Sequence, residues 1–158
     1  MLQTQQTLRS FVVPLQSGQA ILPNSLMVEV LPFATPLKIE NAPAWMAGIM
    51  LWRARNVPLV SLEQLVYETT PKPEAHTRII IINALQNDPR LSYFGLLSKD
   101  APRLINLERT EITLEQVTQL QPSRIGVLNW VRVKEQVAFI PDMDAIEAVL
   151  SPLMRSHS

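Results

Sequence analysis

The chain has 158 residues, 47% of them apolar, and its 14 basic and 14 acidic side chains leave no net charge. That length suits one domain, or one domain of two lobes, and a chain of this size buries about 70% of its unfolded surface without needing disulfides or metal. The charge balance argues against nucleic-acid binding, which draws on a basic surplus, and the absence of cysteine excludes disulfides, thiolate catalysis and cysteine-ligated zinc.

The leading residues Met1 to Ser10 are rich in Gln and Thr with a single Arg9, which is not the pattern of a signal peptide. No apolar run approaches the ~20 residues that span a bilayer, so the reading is a cytoplasmic protein without direct membrane insertion. Leu8 to Leu15 and Ala20 to Leu22, joined by Gln16-Ser17-Gly18-Gln19, predict a β-hairpin. Ser25 to Leu31 fits a short helix or a strand, and Pro32, Pro36 and Pro43 make the next stretch irregular or edge-like. Gly48 to Arg53 and Val57 to Val60 predict a second hairpin. Ser61-Leu62-Glu63-Gln64 then matches a capping box that opens a short helix.

Glu68 to His76 reads as a polar linker stiffened by Pro71 and Pro73. Arg78 to Ile82 is apolar on both faces and therefore a central, buried strand. Asn87-Asp88-Pro89-Arg90 is a turn, and Leu91 to Leu97 pairs back across it. Ile105 to Thr113 alternates weakly, and Leu114 to Leu120, ended by Pro122, is ambiguous between strand and helix. A helix from about Asp142 to Leu153 closes the chain, with Ile146, Val149, Leu150 and Leu153 on one face. Many short strands with frequent turn signals place the chain in the all-β class, as a sandwich or barrel.

Catalytic chemistry is hard to assemble from these residues. His76 lies in the linker and His157 near the end, neither with carboxylates at ligand spacing. Four isolated glycines cannot form a phosphate loop. Asp142 and Asp144 suit capping of the last helix, Glu108, Glu111 and Glu115 read as a solvated face, and Ser17, Ser92 and Ser98 have no nucleophile-elbow context. The expectation is a non-enzyme with no catalytic residues, metal, cofactor or small-molecule substrate.

One internal duplication stands out. Gly48-Ile49-Met50-Leu51-Trp52 is answered about half a chain later by Gly126-Val127-Leu128-Asn129-Trp130, and each copy continues into an apolar run and a helix-like segment. A strand–turn–strand–helix unit used twice implies two similar lobes. Trp52 and Trp130 then read as matching core residues, with Arg53 following the first and Val131 the second. Trp45, in Ala42-Pro43-Ala44-Trp45, is equally suited to core and contact.

Asn41-Ala42-Pro43, Gly48 to Arg53, and Val57-Pro58-Leu59-Val60 with Leu62 resemble the signature of the CheW-like chemotaxis adaptors. Met27-Val28-Glu29-Val30 upstream resembles the family's Val-x-Glu-Ile. Arg78 to Ile82, Gly95-Leu96-Leu97, Ile125-Gly126-Val127 and Ile140 to Asp142 fall where its second half expects them. Ala54 stands where the family has glycine, Ser61 where it has aspartate, and Ser98-Lys99 where a further aspartate usually follows. These departures are similar to a divergent member, such as an auxiliary CheW-like protein of a type IV pilus twitching-motility pathway.

The resemblance implies one domain over residues 8–153, built from two small five-stranded β-barrels side by side (about 8–70 and 77–153), with short helices after the hairpins and at the C-terminus. Strand exchange between the barrels stays open. It implies a non-catalytic adaptor that couples the cytoplasmic tip of a methyl-accepting chemoreceptor to a CheA-like histidine kinase. Glu29 and Arg53 are the candidate partner-binding pair, and Val28, Val30, Ile49, Leu51 and Trp45 are further candidates. The rival readings are a β-rich interaction module unrelated to chemotaxis and a small-barrel enzyme.

Overall fold

The computed structural model describes residues 7–108, 112–114 and 126–155. The expectations for Met1 to Gln6, Glu111, Glu115, most of the stretch from Leu114 to Pro122, Ile125 and His157 lie outside the described residues.

Strands β1 (Thr7–Pro14) and β2 (Gln19–Pro23) form the first hairpin, closed by the Leu15 N–H donating to the Gly18 carbonyl at 2.9 Å. The ambiguous stretch after Pro23 is one 3-10 turn (Asn24–Leu26) followed by strand β3 (Met27–Pro32). β4 (Met46–Trp52) and β5 (Arg55–Val60) make the second hairpin, and helix α1 (Leu62–Tyr67) follows. Ser61 caps α1, its hydroxyl accepting the Gln64 N–H at 3.1 Å. The reciprocal half of the capping box is not made. Ser61 N–H goes to the Trp45 carbonyl at 2.7 Å, and the Gln64 amide oxygen accepts from Thr70. β6 (Arg78–Asp88), β7 (Leu91–Ser98), β8 (Arg103–Glu108), β9 (Ile112–Leu114), β10 (Val127–Val133), β11 (Gln136–Pro141) and helix α2 (Met143–Arg155) complete the order.

The strands form two sheets, in the orders β3-β6-β7-β5-β4 and β8-β1-β2-β11-β10-β9. The second has six strands rather than five, because short β9 adds to the edge of β10. The first lobe has the same feature in reduced form, the isolated bridge of Leu37 with Ile49 of β4. Laid side by side, the two orders correspond strand for strand. β3 matches β8, β6–β7 matches β1–β2, and β5–β4 matches β11–β10, including one parallel junction in each, β7 with β5 and β2 with β11. The hairpin that completes the second lobe therefore comes from the N-terminal strands. Strand exchange is built in, and a cut between residues 70 and 77 does not separate the sheets.

The turns also shift the frame of the duplication. Gly48 and Gly126 both sit at positive φ (147° and 128°) beside a β-bulge. The two-residue turns are Arg53–Ala54 and Lys134–Glu135, all four residues left-handed, and the second copy is longer between glycine and turn. Trp52, the last residue before its turn, thus matches Val133 rather than Trp130. Trp52 and Val133 each face the core of their own lobe, whereas Trp130 packs with Tyr67 and Phe139 between the lobes. The residue matching Arg53 is Lys134, so both turns carry a cation, and the contrast of Arg53 with Val131 falls away.

Three apolar clusters follow from the pleat. In β6, Ile79 and Ile81 point into the first lobe, while Ile80 and Ile82 join the largest cluster, shared by both lobes and α2. All four are fully buried, as expected of the central strand. Ile146 and Leu150 of α2 and Phe11, Leu22 and Phe139 of the second sheet meet them there. The two lobes are welded along one side rather than strung together.

Candidate functional site

Glu29 lies on β3 and Arg53 at the tip of the β4–β5 hairpin, on the two edge strands of the first sheet. Four strand spacings would hold those edges ~19 Å apart if the sheet were flat. Instead Glu29 Oε1 accepts from Trp52 Nε1 at 3.0 Å and from the Arg53 guanidinium at 2.9 Å. The sheet is curled, and this carboxylate bridges its seam.

Trp52 is only 7% exposed and anchors the arrangement. The Arg53 guanidinium stacks 4.4 Å above its ring, Tyr93 meets the ring edge-on at 5.0 Å, and the Arg55 guanidinium stands 5.5 Å from the Tyr93 ring. The order Arg53–Trp52–Tyr93–Arg55 alternates cations with aromatic faces across the end of the lobe. The Arg53–Glu29 pair is open to water, with side chains 63% and 37% exposed, so its net contribution is about 0–1 kcal/mol. Its value lies in holding a guanidinium at a fixed place.

The apolar candidates divide. Val28 packs into the first-lobe core and Ile49 and Trp45 against the shared cluster, all partly buried. Val30, opposite Ile80 on the outer face, is 38% exposed. Leu51 is 71% exposed and shares the face of Ile49, as does Leu37 at 76%, through its bridge to Ile49. The structure thus brings together Glu29 and Arg53 around Trp52, leaves Leu51 exposed on the opposite face of β4 from Trp52, and sets Trp45 apart from them, on the side where its carbonyl holds Ser61. Sequence reasoning missed Leu37, Arg55, Tyr93 and the indole bond of Trp52, since each gains its meaning only from pairings distant in the chain. An isolated Leu37 between prolines and an Arg-rich turn were the available signals.

Elsewhere, the Asp88 carboxyl is held below its ordinary range, chiefly by the Arg90 N–H and also by Ser151 and Arg155. Tyr67 is pushed up to about 12 by burial and by nearby Glu63. Among the described residues no group of three or more His, Asp or Glu is placed to hold a metal ion, and no helix is long and apolar enough to cross a membrane.

No curated protein matches the chain. Among solved structures it is similar to the scaffolding protein TtCheW from Thermoanaerobacter tengcongensis, with a TM-score of 0.71 over 87% of this chain and 86% of that one, at 17% identity. That likeness carries the fold. The CheW-like domain family matches residues 9–149, from the start of β1 through most of α2. The permuted two-lobed fold and a match over nearly the whole length place this chain in the CheW-like domain family.

Proposed function

We propose that the protein is a non-catalytic adaptor of the cytoplasm, acting as one domain over residues 8–153. It couples the cytoplasmic tip of a methyl-accepting chemoreceptor to a CheA-like histidine kinase, in chemotaxis or in pilus-based twitching motility. The observation that carries the proposal is the Arg53 guanidinium, held by Glu29 and stacked on Trp52 at the tip of the β4–β5 hairpin. A cation stacked on an aromatic ring at a hairpin tip suits recognition of a protein surface, where arginine and buried aromatics dominate affinity. Val30, beside Glu29 on the edge strand, and Leu51 on the hairpin are further candidate contacts, as are partly buried Val28 and Ile49, with Trp45 at a separate position on the first lobe.

Charge reversal tests the pair. Arg53→Glu should weaken binding of the purified protein to a receptor tip by about tenfold or more while the fold is retained. Glu29→Arg should weaken it too, with Glu29→Gln as the milder control should the reversal unfold the seam. Unchanged receptor binding by folded Arg53→Glu and Glu29→Arg proteins would sink the assignment of this surface.

A further inference from the structure

The first lobe carries a second basic feature that the Glu29–Arg53 pair does not use. Arg55, Asn56 and Val57 of β5, Pro89 and Arg90 of the β6–β7 turn, Ser92 and Tyr93 of β7, and Met154 of α2 line one cleft of about 270 Å³. Its apolar members Val57 and Met154 are buried, so the floor is preformed, and both arginines are exposed at the rim. Neither guanidinium is ion-paired with an acid among the described residues. The nearby acid, Asp88, is otherwise engaged: one oxygen accepts the Arg90 N–H at 3.0 Å, and the other lies 3.6 Å from Arg155. A protein with no net charge thus concentrates unneutralised positive charge at one small concavity.

We infer that this cleft between Arg55 and Arg90 is a docking site for an acidic segment of a partner protein. The volume is below the ~300–1,000 Å³ of small-molecule pockets and suits one or two side chains. Two arginines present planar forks that match carboxylates, and partly exposed Tyr93 offers an apolar face to a residue between two acids. Nucleic acid fits poorly, because its affinity needs a longer basic track than two side chains supply. The inference stands apart from the adaptor reading, since the cleft is defined without Arg53 and without any named partner.

The test is a chemical-shift titration of the full-length protein with an acetylated, amidated peptide alternating glutamate and leucine. Shifts should concentrate at Asn56, Arg90, Ser92 and Tyr93, and affinity should fall as salt rises. The Arg55→Glu/Arg90→Glu double variant should bind about tenfold more weakly. Lys99→Glu, at the far end of β7, should bind as wild type does. Should the reversal disturb the fold, Arg55→Gln/Arg90→Gln keeps the question answerable through the same loss. Equal binding by a folded double variant, shifts centred elsewhere, or no binding at all would overturn the inference. So would an oligothymidylate that binds the cleft more tightly than the peptide.

Discussion

Glu29 has a single oxygen that serves two donors, and their burial differs sharply. The Trp52 indole N–H sits in the core, where losing its acceptor costs about 1–3 kcal/mol, while Arg53 regains water when unpaired. Glu29→Ala should therefore destabilise the protein by about 1–2 kcal/mol, and Arg53→Ala by less than about 1 kcal/mol. Denaturant unfolding followed by tryptophan fluorescence separates them, and equal effects would mean that the seam depends on the ion pair instead. At the next position, Ala54 holds a left-handed φ of 62° where the resembling family has glycine. Ala54→Gly should raise stability by about 0.5–1 kcal/mol, the relieved strain exceeding the entropy glycine adds to the unfolded chain. A lower unfolding midpoint would contradict that. The residue types at this site were legible from the family resemblance, but the indole bond was not, because nothing near Trp52 in sequence points to β3.

Hairpins were the readable elements. β1–β2 and β6–β7 join neighbouring strands through recognisable turn residues, and β4–β5 through a short polar stretch between two apolar runs, so local chemistry is enough to find them. The pairing of β2 with β11 joins opposite ends of the chain, and no local signal encodes it. Nor did the sequence announce two buried acids that lock the elements together. Glu63 of α1 accepts from the Gln16 and Ser17 N–H groups of the β1–β2 turn. Glu147 of α2, fully buried, accepts from Leu85 N–H at 2.8 Å and Gln86 N–H at 2.8 Å in β6. The helix that follows each lobe's hairpin thus grips the other lobe's matching hairpin, a reciprocal clamp. Glu147→Ala removes the acceptor of two part-buried N–H groups and leaves a gap at a fully buried position, and should cost about 1–3 kcal/mol. Amide exchange at Leu85 and Gln86 should accelerate with it, and unchanged protection there would argue against the clamp.

For the molecule as a whole, the shared cluster makes the two lobes one cooperative body, and Tyr67 reports on their junction. Its ring meets Trp130 and Phe139 edge-on at 6.2 and 6.0 Å. Because the folded protein raises its pKa from 10.0 to about 12, its contribution is intact below pH 10 and lost as pH rises through about 12. Unfolding midpoints should fall across that window, and less steeply in Tyr67→Phe; parallel curves for the two proteins would remove Tyr67 from the explanation. A two-lobed body that presents Arg53 and exposed Leu51 on one hairpin fits the proposed adaptor, which holds two partners at once. Size-exclusion chromatography of the purified protein with a chemoreceptor cytoplasmic tip and a CheA-like kinase measures this directly. A complex containing all three, weakened by Arg53→Glu, is the expected result; a folded protein that elutes alone in the presence of both would contradict the proposed coupling.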